Sequence, residues 1–156
     1  MSEIITGTTP TEEPVSGQAS TADSSPVFLP KDHLAQGYFG VTDSGAKFLR
    51  RQFVGEYAET MANLLASMEL SDINGLIREM RHGKKKELPY EARMTIASEV
   101  LIRAMVLAHQ KKAPALLFTF VKDNLDHISC DDDWFAFLRH LEAIAAYMTV
   151  QKGGEA

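Results

Sequence analysis

The chain predicts an all-α protein, a single compact bundle of about five helices behind a disordered N-terminal tail. Three observations carry this. Apolar residues recur at three- and four-residue intervals through most of the chain, and no stretch of period-two alternation competes with them. Helix punctuation falls between the periodic segments, at Gly83, Pro89, Pro114 and Ser129. Finally, 156 residues with 45% hydrophobic content suffice for one sizeable core.

Residues 1–26 are rich in Ser, Thr, Glu, Pro and Gly without sustained periodicity, so they should be disordered. The organisation expected is an acidic tail over 1–30, an irregular lead-in over 31–42 and a helical bundle domain over 43–152. Phe28, Leu29, Leu34, Tyr38 and Phe39 sit among prolines and glycines around that lead-in, as aromatics and aliphatics suited to latch onto the domain.

The first helix is expected from Ser44 to Met68, with Leu49, Phe53, Tyr57, Met61, Leu64, Leu65 and Met68 inward. Ser71 suits the N-cap of a short second helix ending near His82, with Gly83 as its stop. Pro89 opens a third helix, where its missing N–H does no harm. Its apolar positions include Ile96, Ala97, Val100, Leu101, Ala104, Leu107 and Ala108. Pro114 opens a fourth carrying Leu117, Phe118, Val121 and Leu125. Ser129 caps a fifth, and Asp131, Asp132 and Asp133 in its first turn complement the helix macrodipole. On this last helix Trp134, Phe137, Leu138, Leu141, Ile144, Ala145 and Met148 form one apolar stripe. Phe135, Arg139, Glu142, Ala143 and Ala146 form a second face. That face either docks a partner or is buried too, making the helix central.

No apolar run approaches the roughly 20 residues of a membrane span, and the start lacks the basic and apolar blocks of a secretory signal. Cys130 is the single cysteine, so a cytoplasmic location is expected. The net charge of −5 conceals local contrasts. From Arg78 to Lys112 there are nine basic and four acidic residues, and from Asp123 to Glu142 six acidic residues and Arg139 alone. Overall acidity therefore does not exclude an anionic partner.

His127, Cys130 and the three aspartates lie close together, but helix capping explains the aspartates and no metal is expected. No nucleophile elbow or phosphate-binding glycine loop occurs, His33, His82, His109 and His140 are scattered, and neither an enzyme nor a cofactor is expected. The basic segment is the stronger lead. Arg78 and Arg81 project from one helix face, Lys84, Lys85 and Lys86 follow, and Arg93 stands early in the next helix. Six cations around one interhelical turn suit phosphates, each of which releases counterions when neutralised.

Three segments together resemble the small subunit of type III-A (Csm-type) CRISPR effector complexes. The run from Phe137 through Arg139, Glu142, Ala143 and Ala146 to Tyr147, with Gly153 and Gly154 following, is similar to the family's C-terminal signature. Ile77 and Arg78 match the last two positions of a Ser-Gln-Ile-Arg type motif, and Tyr90, Ala92 and Arg93 resemble the Tyr-x-Ala-x-Arg opening of a long central helix. The resemblance spans about Ser71 to Gly154. It departs at Leu76, where the family usually has Gln, and at Arg93, which one missing residue turns by about 100° around its helix.

The resemblance implies a non-catalytic helical subunit, stacked in several copies beside the backbone and large subunits. It would contact the guide RNA and target RNA duplex and position target RNA for antiviral defence. By position it assigns RNA contacts to Arg78 and Arg93; local charge adds Arg81, Lys84, Lys85 and Lys86. A-form duplex is recognised chiefly through phosphates and 2′-hydroxyls, which such a cluster suits. If the basic and acidic segments sit at opposite ends, copies would self-associate by head-to-tail stacking, with Phe135, Arg139, Glu142 and Ala146 at the subunit interface. Two other readings stand beside this one: a protein-interaction adaptor without RNA binding, and a DNA-binding regulator with a helix-turn-helix built from the second and third helices.

Overall fold

The computed structural model describes residues 27–84 and 87–154. Among them run β1 (Phe39–Val41) and β2 (Lys47–Leu49), one 3₁₀ turn (Arg51–Phe53), and five helices. The helices are α1 (Glu56–Leu64), α2 (Leu70–His82), α3 (Tyr90–His109), α4 (Leu116–His127) and α5 (Asp131–Gly154). The all-α class and the five-helix count expected from periodicity are both present. The disorder expected of residues 1–26 concerns a segment outside the described residues.

The expected helix from Ser44 does not form; the chain makes a hairpin first. β1 and β2 pair antiparallel with Phe39 opposite Leu49. Their connection turns at Gly45, whose φ of 88° is a left-handed conformation that suits glycine. The Thr42 hydroxyl accepts the Ala46 N–H at 3.0 Å and lies 2.9 Å from the Ser44 hydroxyl. These local bonds offer the backbone an alternative to helix. Helical spacing takes over from Phe53, and Phe53, Met61, Leu65 and Met68 are buried as expected.

Helix α5 is the centre of the bundle. Trp134, Phe137, Leu138, Leu141, Ile144, Ala145 and Met148 are all buried, and so are Ala136 and His140 between them. It packs against α1 on one side and α2 on the other, while α2 pairs with α3 and α3 with α4. The lead-in spans the remaining gap. Tyr38 is buried and its hydroxyl donates to Asn124 Oδ1 on α4 at 2.8 Å, while Asn124 Nδ2 donates to the Phe120 carbonyl at 2.9 Å. Burial pushes the Tyr38 phenol pKa upward. The expected aromatic latch is therefore made by Tyr38.

Helix ends are satisfied in ways the residue types only partly announce. Glu69, not Ser71, is the N-cap of α2, and Ser71 lies one residue inside the helix. At α5 the roles are reversed: Asp133 reaches back and accepts from the Ser129 N–H and hydroxyl at 3.0 and 3.1 Å. Helix α3 ends with Lys111 at φ 60°, its N–H bonded to Ala108 and that of Lys112 to Leu107. This is the pattern of a Schellman motif.

The buried His140 ring donates from Nδ1 to the Phe53 carbonyl, and its Nε2 has no hydrogen-bond partner. Burial, which opposes charging, lowers its pKa from 6.5 to about 4. Below pH 6.5 the unfolded chain therefore takes up a proton that the folded chain refuses, so stability is full above that pH and falls as pH drops toward 4. The loss expected from this residue is about 3 kcal/mol. Urea unfolding at a series of pH values checks it, with a smaller loss in His140→Gln; equal pH dependence in both chains would contradict the assignment.

Candidate nucleic-acid interface

The turn joining α2 to α3 is held from three sides. Gly83 ends α2 with φ −84°, an ordinary right-handed value. A glycine is needed there for space: a Cβ would lie 2.3 Å from the Trp134 ring. The Trp134 indole N–H donates to the Met80 carbonyl at 2.9 Å, and Arg93 Nε donates to the Gly83 carbonyl at 3.1 Å. At the end of α2 the Met80 carbonyl, which also accepts the Gly83 N–H at 3.0 Å, and the Gly83 carbonyl are thus bonded by side chains from α5 and α3. The Arg93 guanidinium lies 5.7 Å from the Trp134 ring centroid and donates from Nη1 to Asp131 at the start of α5.

Arg93 is only 7% exposed. Its placement corrects the expectation that it contacts RNA: the guanidinium is turned inward and engaged by Asp131, Gly83 and Trp134. Arg93 lies on the same helix row as Ala97, Val100, Ala104 and Leu107, the buried residues of α3.

The remaining cations of the segment behave differently. Arg78 is exposed on α2, and no ion pair among the described residues takes it. Arg81, also exposed, donates from Nη2 and Nε to Glu142 Oε2 at 2.8 and 3.3 Å. Arg139 of α5 approaches the other oxygen of the same carboxylate at 3.6 Å. Lys84 is exposed; Lys85 and Lys86 lie outside the described residues. A ridge of Arg78, Arg81, Arg139 and Lys84 thus runs along α2 and its α5 border, with Glu142 the carboxylate lying between two of the arginines. The sequence suggests a subunit seam for Arg139; the structure adds it to this ridge.

The proposed seam on α5 is largely consumed. Phe135 is half-buried and packs against the core, Glu142 is half-buried between the two arginines, and only Arg139 and Ala146 are exposed. Nor do the basic and acidic segments separate to opposite ends. Arg93–Asp131 and Arg81–Glu142 join them within one copy, and Lys47 pairs with Asp132 at 3.0 Å. Among the described residues the two segments therefore meet within one copy at these pairs. The three aspartates are each engaged, by Arg93, Lys47 and Ser129. Among the described residues no group of three His, Cys, Asp or Glu side chains is placed to hold a metal ion. None of the helices there is long and apolar enough to cross a membrane.

Helices α2 and α3 lie side by side and antiparallel. Gly83 meets Arg93 at one end, and Glu79 pairs with Arg103 at 3.6 Å further along. A helix-turn-helix instead opens its two helices to about 90–120° across a turn of three or four residues.

The chain matches no protein-family model, no curated protein and no solved structure.

Removing the Arg93 side chain strips the Gly83 carbonyl of a donor and opens space beneath Trp134. Arg93→Ala should therefore destabilise the chain by about 2–4 kcal/mol, whereas Arg78→Ala should leave the thermal midpoint nearly unchanged. Paired urea and thermal unfolding of the two variants checks this; equally mild effects would contradict the inward placement of Arg93.

Proposed function

We propose that this chain is a non-catalytic helical subunit of a type III-A CRISPR ribonucleoprotein, contacting the guide–target RNA duplex through α2 and its α5 border. The observation that carries the reading is the exposed arginine ridge of Arg78, Arg81 and Arg139 with Lys84 at its end. A row of cations on a convex helical surface suits the phosphates of an A-form duplex, whose deep, narrow major groove side chains do not read.

The three segments that resemble the family fall on three helices in order. Ile77 is buried and Arg78 exposed on the short α2; Tyr90 opens the long α3; Phe137 to Tyr147 lies on the final helix. At Ile77 and Arg78, neighbouring residues divide between packing and exposure, which is compatible with a subunit that presents a binding surface. On this reading the chain works in the cytoplasm beside backbone and large subunits, and RNA contact falls to Arg78, Arg81, Arg139 and the lysines that begin at Lys84. Arg93 serves the fold.

The test is binding to an A-form RNA duplex, and to a guide-loaded type III-A backbone assembly with target RNA, across a salt series. Each phosphate that the protein no longer neutralises lowers the salt slope by about 1. Arg78→Ala/Arg81→Ala/Arg139→Ala should therefore flatten it by about 2–3 and weaken binding to both. No binding to either target, or a slope unchanged in the variant, would overturn the reading.

A further inference from the structure

The hairpin turns an aromatic ring outward. Phe39 and Leu49, paired across its strands, are half-buried and pack against the core. The next pair, Gly40 and Phe48, therefore points to the opposite face. The Phe48 ring folds across Gly40, where a Cβ would lie 2.5 Å from its Cζ, and the residue stays 46% exposed. A glycine here gives the ring a seat that a side chain would block. Beside the ring, a hollow of about 480 Å³ is lined by Gly40, Phe48, Leu49, Arg50, Arg51 and Gln52, with no carboxylate among them. Arg50 is half-buried and donates from Nη1 to the Gly37 carbonyl at 3.5 Å. Arg51 is exposed, and no ion pair or side-chain hydrogen bond among the described residues engages its guanidinium. The adjoining hollow, which shares Arg51 and Gln52, has Glu56 as its one carboxylate.

We propose that this hairpin face binds an unpaired nucleotide of an RNA strand, with the base stacked on Phe48 and the phosphate held by Arg51. A seated, exposed ring offers a π-face on which any base stacks, and cations beside it take the backbone; single strands are bound by this combination. An acidic peptide would use the arginines and leave the ring idle, whereas a nucleotide uses both. The position of the hairpin agrees. Lys47 of β2 pairs with Asp132 and so anchors the hairpin at the start of α5. Arg139 stands seven residues further on, two turns along the same side of that helix and about 10 Å away. The hairpin therefore borders the arginine ridge, and a strand leaving a duplex held there continues onto Phe48. The choice of RNA rests on the reading of that ridge; the stacking site does not. The hairpin precedes Ser71, so the family resemblance assigns it no role.

The test compares binding of the full chain to a blunt RNA duplex, to the same duplex with a single-stranded overhang, and to the overhang sequence alone. The unpaired segment carries a fluorescent base analogue whose emission is quenched by stacking. Wild type should bind the overhang duplex at least about fivefold more tightly than the blunt one, with quenching. Phe48→Ala should abolish the gain and the quenching while helical circular dichroism and blunt-duplex affinity stay unchanged. Phe48→Trp should keep both; Phe48→Leu, which still packs on Gly40 but has no π-face, should lose both. Arg51→Ala should lower the salt slope for the single strand by about 1. Blunt and overhang duplexes bound alike, or a gain that survives Phe48→Ala or Phe48→Leu, would overturn the site. A DNA overhang bound as tightly as RNA would overturn the choice of RNA. A blunt duplex left unbound while the single strand still binds through Phe48 would overturn the ridge and support the hairpin site.

Discussion

The arrangement depends on a buried arginine beside an indole. Arg93 brings a permanent charge into a site where it is 7% exposed, and an unpaired charge there would cost several kcal/mol. The site tolerates it because groups among the described residues meet it, including the Asp131 carboxylate, the Gly83 carbonyl and the face of Trp134. Those groups come from α5, the end of α2 and α5 again, while Arg93 itself belongs to α3. One side chain therefore fixes the end of one helix against the beginnings of two others. Gly83 completes the constraint, since the ring occupies the space any side chain would need.

From this fixed corner follows the division of the surface. Because α2 is held at its end by α3 and α5, its inward residues Ile73, Leu76, Ile77 and Met80 are buried and Arg78 and Arg81 face outward. Of the acidic residues of α5, Asp131, Asp132 and Glu142 are spent within the copy on Arg93, Lys47 and Arg81, and Asp133 on Ser129. Positive charge remains where α2 meets α5, and uncovered apolar surface remains on α3. These are two separate surfaces, one cationic and the other apolar.

Much of this was legible in the residues. The all-α class, the approximate starts of α2 to α5 and the core stripe of α5 follow from periodicity with Gly83, Pro89, Pro114 and Ser129 as punctuation. The inward turn of Arg93 is also written in the spacing, since positions 93, 97, 100, 104 and 107 form one heptad-like row. Its charge suggests a surface role, but its register decides its fate. The hairpin had a signal as well: Thr42, Asp43 and Ser44 before Gly45 is turn chemistry, overridden in the sequence by a helical pattern that holds only from Phe53 onward. The reason for Gly83 was not legible, because it depends on a tryptophan more than fifty residues away. The same is true of Glu142, whose bond to Arg81 crosses from α5 to α2.

Trp134 is the chain's only tryptophan, so its fluorescence reports this corner directly. The measurement is emission and acrylamide quenching of the folded chain, alone and with RNA duplex added. Burial against Gly83 and Arg93 calls for blue-shifted emission protected from the quencher, unchanged when RNA binds. Emission like that of tryptophan in water, or protection gained only on adding RNA, would contradict a prebuilt corner and return Arg93 to the surface.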